Sequence, residues 1–249
     1  MPSSPRNLKW EAAAVRPVAP GWTVPSMHWN RRVSLPLTFM LLAAVCIPTI
    51  DEPLARLRPF TLLPEELEAF FGRIETFGHS VGVAFILLAI WFLDHGRRRC
   101  LPRLMACTWG AGLAANLVKM TVGRVRPFAW VDQLGNTLPR QFTGWLPLGM
   151  NVSHEQSFPS AHTATIVGLA IGLAALYPQG RVLFFTTAAL VAIQRIVYGA
   201  HYASDVFFAA GLACLVVGGL FRVRAVNAKF VRFETPPTAE PVERLRTAA

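Results

Sequence analysis

Ten residues in three short clusters hold most of the chemistry this sequence offers. They are Lys119 with Arg126 and Pro127, then Pro159-Ser160-Ala161-His162, then Arg195 with His201 and Asp205. Together they supply three fixed cations, two imidazoles, one carboxylate and one hydroxyl. Ionisable groups at the ends of apolar segments are costly unless they act there. This set suits holding a tetrahedral oxyanion with the cations and attacking it with an imidazole.

Each cluster also has a plainer reading. Lys119 and Arg126 are seven residues apart, two helical turns, and share a face if the helix continues, although Gly123 and Pro127 argue that it stops nearby. They would grip phosphate oxygens, or simply anchor a helix end by snorkelling. Pro159 precedes a helix for which Ser160 is a good N-cap. The free amides there, Ala161 included, and His162 would cradle an anion. Alternatively this is a capped helix start with an incidental histidine. His201 and Asp205 stand four apart at the start of a helix, close enough for a shared face and a hydrogen bond. A carboxylate there fixes the imidazole tautomer and leaves one nitrogen free as a nucleophile, or it merely ties down the helix start. His and Asp also bind metals, but Lys119, Arg126 and Arg195 would repel a divalent ion, so no metal is expected. His154 and Glu155, in the preceding loop, either shape access or are solvated.

The elements that must position these groups are membrane helices. The chain has 249 residues, 53% hydrophobic and only 15% charged, with a mean hydropathy of +0.40, too apolar for an ordinary soluble domain. The net charge of +10 does not indicate nucleic acid, because the arginines flank apolar runs instead of forming a stripe among aromatics. Measured against the roughly 20 residues that span a bilayer, six segments qualify: Val33–Ile50, Ser80–Asp94, Leu104–Val122, His162–Tyr177, Val182–Tyr198 and Tyr202–Phe221. The expected fold is all-α, a polytopic bundle of six transmembrane helices. Residues 33–221 form the membrane domain, and residues 1–32 and 222–249 are cytoplasmic tails.

Charge bias orients the bundle. Arg6, Lys9, Arg16, Arg31 and Arg32, then Arg97, Arg98, Arg99 and Arg103, then Arg181, then Arg222, Arg224, Lys229 and Arg232 all fall on one side, which is therefore cytoplasmic. Both termini then lie inside and all three polar clusters at the outer face. The outer segment Asp51–Phe77 alternates apolar residues (Leu62, Leu63, Leu67, Phe70, Phe71, Ile74) with Glu65, Glu66, Glu68 and Arg73 at helical spacing. It reads either as a lid or interfacial helix or as a packed loop helix. Met1–Asn30 and Glu234–Ala249 read as flexible tails. Cys46, Cys100, Cys107 and Cys214 show neither a disulfide framework nor zinc spacing.

The three clusters in order resemble the type 2 phosphatidic acid phosphatases, or lipid phosphate phosphatases, whose signature reads K-x6-R-P, P-S-G-H and S-R-x5-H-x3-D. Ala161 stands where that pattern has glycine and Gln194 where it has serine. Neither change removes a charged or nucleophilic group. The resemblance implies a plasma-membrane phosphohydrolase that needs no metal or other cofactor. His201 would form a phosphohistidine, Asp205 would orient it, and His162 would serve as acid and then base. Lys119, Arg126, Arg195, Ser160 and the Ala161 amide would hold the phosphate. It implies a lipid mono- or diphosphate as substrate, such as undecaprenyl diphosphate, phosphatidylglycerol phosphate, phosphatidic acid or a lipid A phosphate. No nucleic acid and no obligate protein partner are implied. A lipid-to-lipid phosphotransferase of the same fold remains an alternative, as do an anion transporter and a non-catalytic binder.

Overall fold

The computed structural model describes residues 21–22, 29–132, 141–145 and 156–235. Six long helices dominate: α1 (Trp29–Thr49), α4 (Ser80–Leu93), α5 (Leu101–Lys119), α7 (Ala161–Leu176), α8 (Arg181–Val197) and α9 (Ala203–Arg222). They coincide with the six apolar segments, with boundaries shifted by up to a few residues. Between them lie α2 (Asp51–Leu57), α3 (Glu65–Ile74) and α6 (Pro127–Asp132), and α10 (Arg224–Glu234) follows α9. One departure from an all-helical chain is a small antiparallel ribbon. Strand β1 (Val122–Arg124) pairs with β2 (Phe142–Trp145), with a register shift between Gly123 and Arg124. The ribbon begins just past Lys119, so the helix does not carry through to Arg126.

Helices α5, α7 and α9 form the centre, and small residues let them approach. Ala111, Ala115, Ala164, Ala209 and Ala213 form one fully buried cluster. A Cβ on Gly168 would come within 2.3 Å of the Cys107 carbonyl oxygen, and one on Gly112 within 2.4 Å of Thr165 Oγ1. Close backbone approach of this kind is how helices associate where lipid replaces water and burial supplies little drive. Beside this cluster a larger apolar core joins α4, α5, α7 and α8 through Val83, Leu87, Leu104, Leu169, Leu173 and Val191.

The outer faces of the bundle stay apolar. Leu41, Phe85, Phe92, Leu93, Leu113, Leu117, Val182 and Leu183 are all exposed. A soluble monomer rarely shows so extensive an apolar surface. Pro178–Val197 and Ala203–Arg222 are each long and apolar enough to cross a membrane. Two bent pairs also qualify if each is taken as one broken span: Val33–Thr49 with Asp51–Leu57, bent by 61°, and Glu65–Gly78 with Ser80–Leu93, bent by 65°.

Arg103 and Lys119 sit about 24 Å apart along α5 at 1.5 Å per residue, so the chain has two distinct polar ends. At the Arg103 end a buried knot closes the bundle. Arg103 Nε lies 2.9 Å from Glu234 Oε1, and Arg103 Nη1 donates to Asn227 Oδ1 at 2.8 Å. Trp22 Nε1 donates to the same Glu234 carboxylate at 3.1 Å. The guanidinium also lies over the rings of Trp22, Phe221 and Phe230. Glu234 is therefore buried in a helix terminus, not the first residue of a flexible tail. A charge this deep is tolerable only when paired, and Arg103 supplies the pair.

Candidate functional site

The other polar end gathers the three clusters. Because α1, α5 and α8 run toward it and α4, α7 and α9 run away, each long helix contributes one terminus. A cavity of about 430 Å³ opens there, lined by Lys119, Arg126, Ala161, His162, Arg195 and His201, among others. Segments more than eighty residues apart in sequence thus share one wall. Gly78, His79 and Ser80 at the head of α4, Trp109, Gly112, Leu113 and Asn116 along one face of α5, and Thr165 on α7 complete the lining.

His201 owes its place to a turn. Gly199 adopts φ +62°, a left-handed conformation that favours glycine, and its carbonyl accepts from Phe128 N at 3.1 Å. The amides of Ala200 and His201 then donate to the Arg195 carbonyl at 3.1 and 3.0 Å. The end of α8 is folded over so that Arg195 and His201 face the same cavity. His201 therefore stands just before α9, not on it. Its Nδ1 is 3.6 Å from Asp205 Oδ2, an ion-pair distance and longer than a hydrogen bond.

Asp205 is held by several groups besides. Its Oδ2 accepts from Ser157 Oγ at 2.5 Å and from the Tyr202 amide at 2.9 Å, and Oδ1 is bonded by Arg124 Nη1. Arg124 is the main residue that sequence reasoning missed. It is fully buried and bridges two carboxylates, Asp205 and Asp51, the latter 2.8 Å from Nη2. Nη1 also donates to Ser204 Oγ at 2.7 Å and Nη2 to Gln141 Oε1 at 2.9 Å. The Tyr202 ring lies 4.0 Å from the guanidinium carbon, in cation–π range. Asp51, the first residue of the outer segment, is 1% exposed and also accepts from the Ser204 amide at 3.1 Å.

The charges in this knot matter. Two carboxylates against one guanidinium leave a net negative charge directly behind His201. Such an excess favours positive charge growing on the imidazole as it bonds to an electrophile. Burial works the opposite way on free His201. It pushes the imidazole down to about 4, with Lys119 and Arg126 acting in the same direction and Asp205 opposing them. The resting side chain is thus neutral, with a lone pair available.

The second cluster behaves as its capping pattern predicts. Ser160 begins α7 and its Oγ accepts from the Thr163 amide at 3.4 Å and from Thr163 Oγ1 at 2.9 Å. Ser160 is buried and absent from the cavity wall, whereas Ala161 and His162 are on it. Gln194 is also fully buried. Its Oε1 accepts from Arg195 Nε at 2.6 Å and its Nε2 donates to Glu75 Oε2 at 3.1 Å. His154 and Glu155 lie outside the described residues. Among the described residues, no group of three His, Cys, Asp or Glu side chains is arranged to hold a metal ion.

This helical bundle gathers Lys119, Arg126, Arg195 and three histidines around one cavity. It superimposes on the PAP2-type phosphatidylglycerolphosphate phosphatase of Bacillus subtilis with a TM-score of 0.54. That likeness covers 80% of this chain and 97% of the other at 19% identity, and concerns the fold. Residues 100–229 match the PAP2 superfamily, and the chain belongs to it. It is a membrane protein. It is also similar to the lipid A 1-phosphatases of Rhizobium etli, 39% identical over 111 residues, and Rhizobium johnstonii, 39% identical over 103. These matches cover 45% and 41% of this chain, and only 42% and 38% of the relatives' own lengths.

Proposed function

We propose that the protein is a metal-independent lipid phosphate phosphatase that removes the 1-phosphate of lipid A, or of a closely similar lipid, through a phosphohistidine at His201. The observation that carries this reading is the placement of His201. It is a neutral, carboxylate-backed imidazole on the wall of a cavity that also presents Lys119, Arg126 and Arg195. The lipid A 1-phosphatase relatives support the choice of substrate.

In this mechanism the three cations and the Ala161 amide hold the equatorial phosphate oxygens and offset their charge in the transition state. His201 attacks phosphorus and a nitrogen–phosphorus bond forms as the bond to the lipid oxygen breaks. The electron pair leaves with that oxygen, which takes a proton from His162. Water then attacks the phosphohistidine, His162 accepts its proton, and His201 departs neutral. Asp205 and the excess charge of the Asp51–Arg124–Asp205 knot stabilise the intermediate imidazolium. Ser160 acts as the cap that fixes the Ala161 amide and His162.

The six long helices cross the cytoplasmic membrane in this reading, and both termini are cytoplasmic. Residues 33–221 are the membrane domain. Arg97–Arg103, Arg181 and Arg222–Arg232 lie at the end of the bundle away from the cavity, which supports an outward-facing site. The exposed apolar residues of the outer segment, Leu62, Leu67, Phe70 and Phe77, favour contact with the membrane interface.

A substrate panel tests the proposal. Detergent-purified protein in excess EDTA should release phosphate from lipid A 1-phosphate faster than from phosphatidylglycerol phosphate or phosphatidic acid. Loss of activity in EDTA, restored by a divalent ion, would refute metal independence. Preference for a glycerophospholipid would refute the substrate assignment. The depressed titration of His201 gives a second test. Measured with p-nitrophenyl phosphate, whose leaving group needs no proton from His162, and once the substrate's own ionisation is allowed for, kcat/KM should stay flat from about pH 7.5 to 5.5, because the imidazole keeps its lone pair until pH falls toward 4. An ordinary histidine near 6.5 would lose about tenfold in activity over that range.

A further inference from the structure

Glu75, outside the family-matched stretch, touches two residues of the cavity wall, Arg195 and His162, and no part of the mechanism above uses it. Its Oε2 lies 2.5 Å from Arg195 Nη2 and accepts from Gln194 Nε2 at 3.1 Å. Its Oε1 stands 3.9 Å from His162 Nε2. The turn that carries it is pressed onto the bundle at Gly78, where a Cβ would meet Val191 Cγ1 at 2.8 Å and His162 Cβ at 3.4 Å. The carboxylate is therefore held between one of the cations that should grip the phosphate and the histidine that should protonate the leaving oxygen. It remains 37% exposed, so it can move.

A phosphate arriving at Arg195 brings a second anion to a guanidinium that already holds one. Like charges a few ångströms apart repel, and more strongly in a confined cavity than in water. Glu75 must then give up part of its hold on Arg195. Of the groups facing His162 — Arg195 on α8, His79 at the head of α4, His201 and Glu75 — only Glu75 is an acid. Its oxygen is already within 4 Å of the imidazole.

Resting on the phosphatase reading above, we infer that Glu75 is a positioning residue that exchanges Arg195 for His162 when phosphate binds, stabilising His162 in the protonated form that the leaving oxygen requires. Arg195 is released to the phosphate in the same movement. Glu75 takes no part in the proton traffic: the proton on His162 goes to the lipid oxygen, and the water proton later replaces it. Gln194, one of the two departures from the family signature, gains a purpose. It tethers the resting carboxylate at one end and Arg195 at the other, so that the exchange starts from a fixed geometry.

The test compares substrates that do and do not need an acid. Glu75→Gln keeps the shape and the contact with Gln194 but removes the charge. On the lipid substrate, whose alkoxide leaves poorly, kcat should fall about a hundredfold, the scale of general-acid assistance. On p-nitrophenyl phosphate, whose leaving group needs no proton, kcat/KM, which reports only phosphoryl transfer to His201, should fall far less than activity on the lipid. Glu75→Asp should recover part of the lipid activity. Equal losses on both substrates would overturn the inference in favour of a structural role. A lower KM on both with kcat unchanged would overturn it in favour of a carboxylate that merely competes with phosphate. An active wild type with an unaffected Glu75→Gln would also sink it while leaving the phosphatase reading intact. A wild type whose phosphate release survives His201→Ala would sink the phosphatase reading itself.

Discussion

Replacing His201 with alanine should lower phosphate release by about 10⁴-fold or more, the loss expected when a covalent nucleophile is deleted. Lys119, Arg126 and Arg195 remain on the cavity wall in that variant, so a lipid phosphate or orthovanadate should still bind with little change in affinity. Retained binding with lost turnover separates a nucleophile from a phosphate anchor. His201→Ala is a cleaner test than Asp205→Asn. Asp205 holds Ser157, the Tyr202 amide and Arg124 as well as facing His201. Its replacement would disturb the fold of the site along with the chemistry, and the two losses would not be separable from rates alone.

Arg124→Met should be the most destabilising single change at this end of the molecule. It leaves Asp51 and Asp205 buried together without their cation, and breaking a buried pair in this way costs about 3–5 kcal/mol. The Tyr202 ring and the Gln141 side chain lose their partner as well. Thermal unfolding in detergent should show a large fall in Tm, with little monodisperse protein recovered. The double variant Arg124→Met with Asp51→Asn restores the charge balance and should regain part of that loss, as coupled neighbours do. If Arg124→Met unfolds at the wild-type temperature, the knot is not what holds the Asp205 carboxylate.

The two polar ends of the chain were unequally legible in sequence. The six long helices could be placed because each is a mostly apolar run with polar or charged residues at or near its ends. The residues facing the cavity could be placed because charge bias set Lys119, Arg126, His162, Arg195 and His201 at one end of the bundle and their order resembled the family signature. Arg124 and Asp51 could not. Seventy-three residues separate them, each sits among other charged residues, and nothing local distinguishes a buried pair from two solvated groups. Glu75 was hidden for the same reason among the acids of the outer segment. The β1–β2 ribbon was missed because three- and four-residue strands carry too little alternation to be seen. Helical spacing misled at His201: the four-residue interval to Asp205 suggested one helix face, whereas the Gly199 turn brings His201 in from outside the helix. Ser160 was read correctly as a cap from its position after Pro159, but its hydroxyl is engaged with Thr163 and does not reach the cavity wall.

The central claim is that phosphate passes through a covalent bond to His201. The most direct measurement is rapid acid-free quenching of a single turnover with a ³²P-labelled lipid phosphate, followed by digestion and mapping of the labelled peptide. The mechanism predicts transient label on the peptide containing His201, stable in base and labile in acid, and absent from His201→Ala. Full turnover with no label on protein at any time, or label on His162 instead, would contradict it.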